Sequence, residues 1–184
     1  MDKGDHTMNL RRAFMGIMTG NPQDEPLHYG EVFSVWTHLS TVKAAKAAYQ
    51  TLANHCGDEE LRKFINDLIE QGRQEDDEIT NMLKANGVTL PPSPPERADA
   101  DLEEIPPGAR FNDPEIAASV QKDLAAGLVA CSQAMGQSTR EDVAMMFGQF
   151  HMTKAQNGAK LLKMLKQKGW LIPPPLHVKR PEEN

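Results

Sequence analysis

Apolar residues recur at helical spacing in four stretches of the chain, and residues that start or stop helices separate these stretches. The pattern predicts helices over about 28–55, 58–86, 113–135 and 139–168. The first and second helices are separated by a few residues, as are the third and fourth. Each pair is therefore expected to form an antiparallel helical hairpin.

A proline-rich stretch over residues 88–112 joins the two hairpins, and its prolines exclude helix and favour extended chain: Pro91, Pro92, Pro94, Pro95, Pro106 and Pro107. A loop of this length is unusual in a compact domain unless it spans a bundle. The sequence thus predicts an all-α fold, an antiparallel four-helix bundle of ferritin-like layout with a long proline-rich crossover between helices 2 and 3. A crossover of the other handedness stays open.

The chain of 184 residues is long enough for one domain with a real core. The bundle is expected over residues 28–169, with an N-terminal extension over 1–27 and a proline-rich C-terminal tail over 170–184. No stretch approaches the ~20 apolar residues of a membrane span, so no membrane partner is expected.

Local signals also predict how the helices end. Gly57 is expected to stop the first helix in the left-handed conformation. At the start of the fourth helix, Ser138 and Glu141 have the spacing of a capping box, as do Thr139 and Asp142.

Ionisable residues interrupt the inner stripes of the first two helices. One stripe persists along the whole first helix and includes Glu31 and His38, whereas the stripe of the second helix is interrupted by Glu75 alone. In an antiparallel hairpin that turns near Gly57, residues whose numbers sum to about 113 lie level. His38 is therefore expected opposite Glu75.

The second hairpin is expected to bring further polar groups towards that layer. One face of the fourth helix is predicted to point inward and contains Phe147, His151, Ala155, Gly158, Leu162 and Leu165. The third helix has a small and apolar inner face with Asp123 at its edge, and Lys154 could border the layer.

Two hypotheses follow from the polar residues inside the bundle. Facing helices bind transition metals through converging carboxylates and imidazoles, so His38, Glu75, His151 and Glu31 are candidate ligands of Fe, Mn or Zn, in a mononuclear or degenerate di-metal site. The other interpretation is a hydrogen-bonded layer that fixes helix register. We favour the second, because neither the second nor the fourth helix contains the Glu-x-x-His pattern of di-iron bundles.

Composition narrows the function further. A net charge of -6 argues against a nucleic-acid partner, because that affinity depends on many Lys and Arg residues. Cys56 and Cys131 are far apart, which fits a reducing, cytoplasmic location. The sequence contains no P-loop, GxGxxG or GxSxG motif, so no catalytic or cofactor-binding residue is predicted and a non-enzymatic role is preferred.

Nearly the whole chain from Met15 onward resembles a family of uncharacterised proteins from spore-forming bacteria. The resemblance rests on segments spread along the sequence: MGI at 15–17, GNP at 20–22, HYGEVF at 28–33, LPPSPPER at 90–97, IPPGARFNDP at 105–114, MMFGQFH at 145–151 and KGWLIPPP at 168–175.

The resemblance implies a ferritin-like helical fold, distantly similar to spore coat F-type proteins, and implies that residues 1–14 lie outside the domain. It also implies a location linked to the spore and a structural or interaction role in sporulation or stress. Some relatives carry two such domains in tandem, so self-association of this single domain into a homodimer is a further expectation.

Overall fold

The computed structural model describes residue 18 and residues 25–177 of the chain. These residues form no strand and four long helices: α1 (Tyr29–His55), α2 (Glu59–Ala85), α3 (Asp113–Gln137) and α4 (Glu141–Gln167). The prediction of an all-α four-helix bundle is confirmed. The predicted N-terminal extension and the end of the tail lie almost wholly outside the described residues and stay predictions.

The turn between α1 and α2 differs from its predicted form. Gly57 does not have a positive φ; among the described residues only Gly87 and Gly169, which follow α2 and α4, do. The chain leaves α1 through Cys56 in extended conformation, so no left-handed residue is needed. Asp113 accepts hydrogen bonds from the backbone N–H groups of Gly57 (2.9 Å) and Asp58 (3.2 Å), which fastens the start of α3 to this turn.

Residues 88–112, called the strap below, run along α1 from its N-terminal half to its C-terminal end. Polar side chains of α1 hold the strap by its backbone, through bonds that join Trp36 to Thr89 (2.9 Å), Lys43 to Pro91 (3.2 Å), Gln50 to Arg97 (2.9 Å) and Asn54 to Ala98 (2.9 Å). Prolines leave a chain without regular backbone partners, and these side chains supply some of them. The strap thereby returns the chain to the α1–α2 turn, as the crossover prediction requires.

The core consists of two apolar clusters stacked along the bundle. The cluster near the α1–α2 turn includes Phe64, Ile65, Ile116 and Leu161. The cluster at the opposite end includes Leu39, Leu83, Val143 and Phe147. Burial of these side chains is the main stabilising contribution to the fold. Within the described residues, no helix is both long and apolar enough to cross a membrane.

The carboxylate of Glu31 ties the start of α1 to the start of α4. Its Oε1 accepts hydrogen bonds from the backbone N–H groups of Thr139 (2.8 Å) and Arg140 (2.9 Å), and its Oε2 accepts one from His28 (3.2 Å). Both capping boxes predicted for α4 are therefore wrong: the hydroxyl of Ser138 donates to Ala134, that of Thr139 donates to Glu31, and no side chain at the N-cap position, Arg140, caps α4. A carboxylate from another helix takes that role at the positive end of the α4 dipole.

Replacement of Glu31 by Ala is expected to lower the free energy of unfolding by about 2–4 kcal/mol, because buried N–H groups lose a charged acceptor. Urea unfolding followed by circular dichroism measures the loss. Glu70→Ala, which removes an exposed carboxylate from α2, is the control and should change stability by about 0.5 kcal/mol or less. Equal effects of the two substitutions would contradict the role given to Glu31.

Candidate functional site

A polar layer separates the two apolar clusters and centres on Glu75. The Nζ atom of Lys154, from α4, lies 2.6 Å from Oε1 and 2.7 Å from Oε2 of Glu75, from α2. Nε2 of His38, from α1, lies 3.3 Å from Oε2. Both His38 and Glu75 are 8% exposed. The layer thus joins three helices through one buried carboxylate.

Aromatic residues of α4 hold the imidazole of His38 in place. Its ring stacks parallel to Phe150 at a centroid distance of 5.7 Å and meets Phe147 edge-on at 5.2 Å. The Nζ atom of Lys154 lies 5.8 Å from the centroid of the Phe150 ring, within range of a cation–π contact. Packing therefore restricts both partners of Glu75.

The side chain of Lys154 passes close to Gly127 on its way to Glu75. A Cβ atom at Gly127, on α3, would lie 3.0 Å from Cδ and Cε of Lys154, so any larger residue would press on the lysine stem. The missing side chain at Gly127 provides the space through which the stem crosses from α4 into the polar layer.

Two further hydrogen bonds border the layer. The amide of Asn157, from α4, donates to Oε1 of Gln71, from α2, at 2.5 Å. The hydroxyl of Tyr49, from α1, donates to the carboxylate of Asp123, from α3. Burial, and then the hydrogen bond to Asp123, raise the pKa of Tyr49 well above its usual value, so this residue stays a donor.

The balance of forces on Glu75 favours its charged form. Burial acts to raise the pKa of this carboxyl group, but the hydrogen bond from His38 and the positive charge of Lys154 outweigh burial and hold the pKa below its usual value. Glu75 is therefore ionised at neutral pH. Because a carboxylate only accepts, Nε2 of His38 carries the hydrogen of their bond.

The polar layer opens to a cleft of about 370 Å³ between α1 and α3. The polar layer, Tyr49 and Asp123 form its floor, whereas small residues form much of its walls, among them Thr37, Thr41, Ala45, Ala126, Gly127 and Ala130. In the described part of the chain, every buried side-chain nitrogen and oxygen has a hydrogen-bond partner. The floor therefore presents no fully buried polar atom that waits for a ligand.

The structure brings together two of the candidate ligands proposed from sequence. His38 and Glu75 meet at the predicted level, but Glu31 lies at the end of the bundle where α4 begins, with backbone N–H groups as its partners. His151 is half-buried and is not among the residues that line the cleft.

The inner face predicted for α4 is partly wrong. Ala155 and Leu162 are exposed, whereas Asn157 and Leu161 are buried. Lys154 was predicted only at the border of the layer, and Asn157 was not predicted, because the stripe chosen for α4 ran through His151 and Ala155. A signal was present: apolar residues before and after Lys154 and Asn157 continue one stripe in steps of three and four, through Phe147, Phe150, Lys154, Asn157, Leu161 and Leu165.

The donor set of the polar layer does not match a metal site with three protein ligands. His38 and Glu75 supply two donors, and the ammonium group of Lys154 lies where a cation bound to Glu75 would lie. Among the described residues, no group of three or more His, Cys, Asp and Glu side chains is arranged to hold a metal ion. Metal binding stays a prediction.

The two cysteines offer no activated nucleophile. Burial raises the pKa of the Cys56 thiol to about 12 and that of the Cys131 thiol to about 11. Since the thiolate is the reactive form, both side chains behave as small apolar residues at neutral pH.

Comparison with known proteins places residues 15–182 in the range of one family, described as "Protein of unknown function (DUF3231)". The uncharacterized protein YvdQ of Bacillus subtilis (strain 168) is 57% identical over 169 residues, which cover 92% of this chain and 99% of YvdQ.

Solved structures show the same fold. The crystal structure of a "putative spore coat protein" from Bacillus halodurans C-125 matches with a TM-score of 0.85 and 58% identity, over 86% of this chain and 100% of that chain. A conserved hypothetical protein from Mycobacterium tuberculosis matches with a TM-score of 0.62 over 76% of this chain and 99% of that chain. At 16% identity, the second match shows the fold alone.

The lowered pKa of Glu75 predicts a loss of stability in acid. A carboxyl group of lowered pKa contributes stability above the pKa of an unfolded Glu, about 4.3, and loses it as the pH falls through the lower folded value. Wild type should therefore exceed Glu75→Gln in free energy of unfolding at pH 5, and the difference should shrink towards pH 3. Urea titrations at each pH measure it.

Glu70→Gln serves as the matched control, because Glu70 is an exposed carboxylate of the same helix. Its stability should follow that of wild type at every pH. A constant difference between wild type and Glu75→Gln over this range would refute the charged state assigned to Glu75.

Proposed function

This chain belongs to the DUF3231 family of proteins of unknown function. We propose that it is a non-enzymatic helical-bundle protein that acts through protein contacts in the bacterial spore or in stress. The cysteines predict a cytoplasmic location, and the proposal adds an association with the spore.

One observation supports the non-enzymatic role above the others. The ammonium group of Lys154 contacts both oxygens of Glu75, so a neighbouring helix neutralises the buried carboxylate inside the chain. A catalytic or metal-binding carboxylate needs an accessible oxygen, whereas a structural one needs a hydrogen-bond partner for each buried oxygen. The polar layer meets the structural requirement and would act as a register device between hairpins.

The link to the spore is supported by likeness. The protein of Bacillus halodurans C-125 that is described as a "putative spore coat protein" matches this chain over its whole length with 58% identity and a TM-score of 0.85. A relative of that identity supports the proposal that this chain is a structural or interaction component of the spore.

A second candidate function, metal binding in the bundle core, is favoured by one observation. His38 and Glu75, two side chains of the kind that bind Fe, Mn and Zn, meet beside a cleft that gives access to them. Binding would require Lys154 to leave the carboxylate and another donor to enter, so we rank this function second.

Paired substitutions at Glu75 and Lys154 distinguish the two functions. Glu75→Leu alone should lower the free energy of unfolding by about 3–5 kcal/mol, because it leaves the Lys154 charge buried and unpaired. Glu75→Leu combined with Lys154→Met should recover most of that loss, since an apolar layer replaces the pair. Urea unfolding of both variants, with the exposed Glu70→Leu as control, measures these values.

Elemental analysis of wild type, purified without a tag or chelator, completes the experiment. We expect far less than one transition metal ion per chain in wild type and in Glu75→Leu. Near-stoichiometric metal in wild type that Glu75→Leu loses would establish the second function and refute the first.

The spore association predicts where the protein is found. An antibody to the protein should detect it in coat extracts of purified spores from the species that produces it, and a deletion strain should give no signal. Detection only in the cytosol of growing cells would rule out the association with the spore.

A further inference from the structure

The exposed face of α1 carries no charge. The helix contains three charged residues, and each has a partner: Glu31 bonds to the start of α4, Lys43 to the strap, and Lys46 to Asp76 at 2.5 Å. Its exposed residues are all uncharged: Tyr29, Gly30, Phe33, Trp36, Thr37, Thr41, Ala44 and Ala48. A solvated helix face normally carries charged residues, so this face is unusual.

Across the cleft, the C-terminal part of α3 continues the uncharged surface. From Leu124 to Gln137 the helix contains no charged residue, and Ala126, Ala130 and Gln133 are exposed on the side towards α1. We call this combined surface of α1 and α3 the neutral face. Phe33 stands at one end of it with 71% of its surface exposed.

The outer face of α2, unlike the neutral face, is rich in charged residues. Most of its exposed residues are charged, among them Glu59, Arg62, Lys63, Asp67, Glu70 and Arg73. The two faces belong to helices of one hairpin and of equal length, 27 residues each. The exposed charge of this hairpin is therefore concentrated on α2.

The size of the neutral face fits a protein contact. At about 1.5 Å per residue, the exposed part of α1 (residues 29–48) is about 30 Å long and the uncharged part of α3 about 20 Å, and each helix is about 10 Å wide. The face thus covers about 500 Å², or about 1,000 Å² when two such faces meet, which is about the least area expected of a specific interface.

We propose that a second copy of this chain covers the neutral face, in a two-fold contact that brings α1 and α3 of both copies together. The proposal rests on the protein acting through protein contacts and names its first partner. Depletion of charge and an exposed aromatic residue beside small ones are features of interface centres.

Charge favours a second copy as the occupant. Two chains of net charge -6 repel each other, but contact through the neutral face keeps the charged face of α2 in water on both copies and away from the interface. A nucleic acid or other strongly charged partner would meet charged groups only in the cleft, where Lys46 and Lys154 are already paired with Asp76 and Glu75. In the part of the chain that the structure describes, every buried polar side-chain atom on the floor of the cleft already has a hydrogen-bond partner, so none is left for a polar small molecule.

Single charges placed on the neutral face test the contact. By light scattering after gel filtration, wild type at about 100 μM should have twice the 20.4 kDa mass of one chain. Ala130→Glu should raise the dissociation constant of the dimer by at least about 30-fold, because a two-fold contact buries the new carboxylate twice. Ala125→Glu, on the same helix but outside the cleft, should leave the mass unchanged.

Thr37→Glu, on α1, provides an independent variant with the same expected loss, and circular dichroism verifies that each variant is folded. A monomeric wild type at 100 μM overturns the proposal and leaves the face to another partner or to residues 1–24 of the same chain. A dimer that survives both Ala130→Glu and Thr37→Glu overturns it as well. Either result leaves the spore association standing, since that is measured in coat extracts.

Discussion

The ion pair between Lys154 and Glu75 is the interaction around which the middle of the bundle is arranged. Burial of the apolar clusters supplies most of the stability, but burial by itself has little directionality. A buried charge pair is satisfied only when its partners are level, and Lys154 and Glu75 meet where α4 and α2 are in that register. Its surroundings fit this geometry: Gly127 leaves space for the lysine stem, and His38 supplies a third hydrogen bond to the carboxylate.

Much of this arrangement can be predicted from sequence, because local rules decide it. The stripes of α1 and α2 place His38 level with Glu75 through helix geometry and a short turn alone. The strap follows from its prolines, which have few other structures available.

The remainder depends on partners that are distant in sequence. The acceptor that caps α4 comes from Glu31, more than a hundred residues earlier. The nearby Ser138 has the right spacing for a capping box, and for this reason the local prediction was wrong. Lys154 is inside because Glu75 is there to receive it, and hydrophobic periodicity alone does not show that pairing. The stripe that contains Phe147 and Leu161 indicates that Lys154 faces inward, but it does not show which group Lys154 contacts.

The strap has a consequence for how the two hairpins find each other. Because α1 holds the strap at several points, the second hairpin stays close to the first at a high effective concentration, which a tether of this kind sets in the millimolar range. The entropy lost on closing such a loop grows only with the logarithm of its length. Assembly of the hairpins is therefore intramolecular, and dilution cannot reverse it.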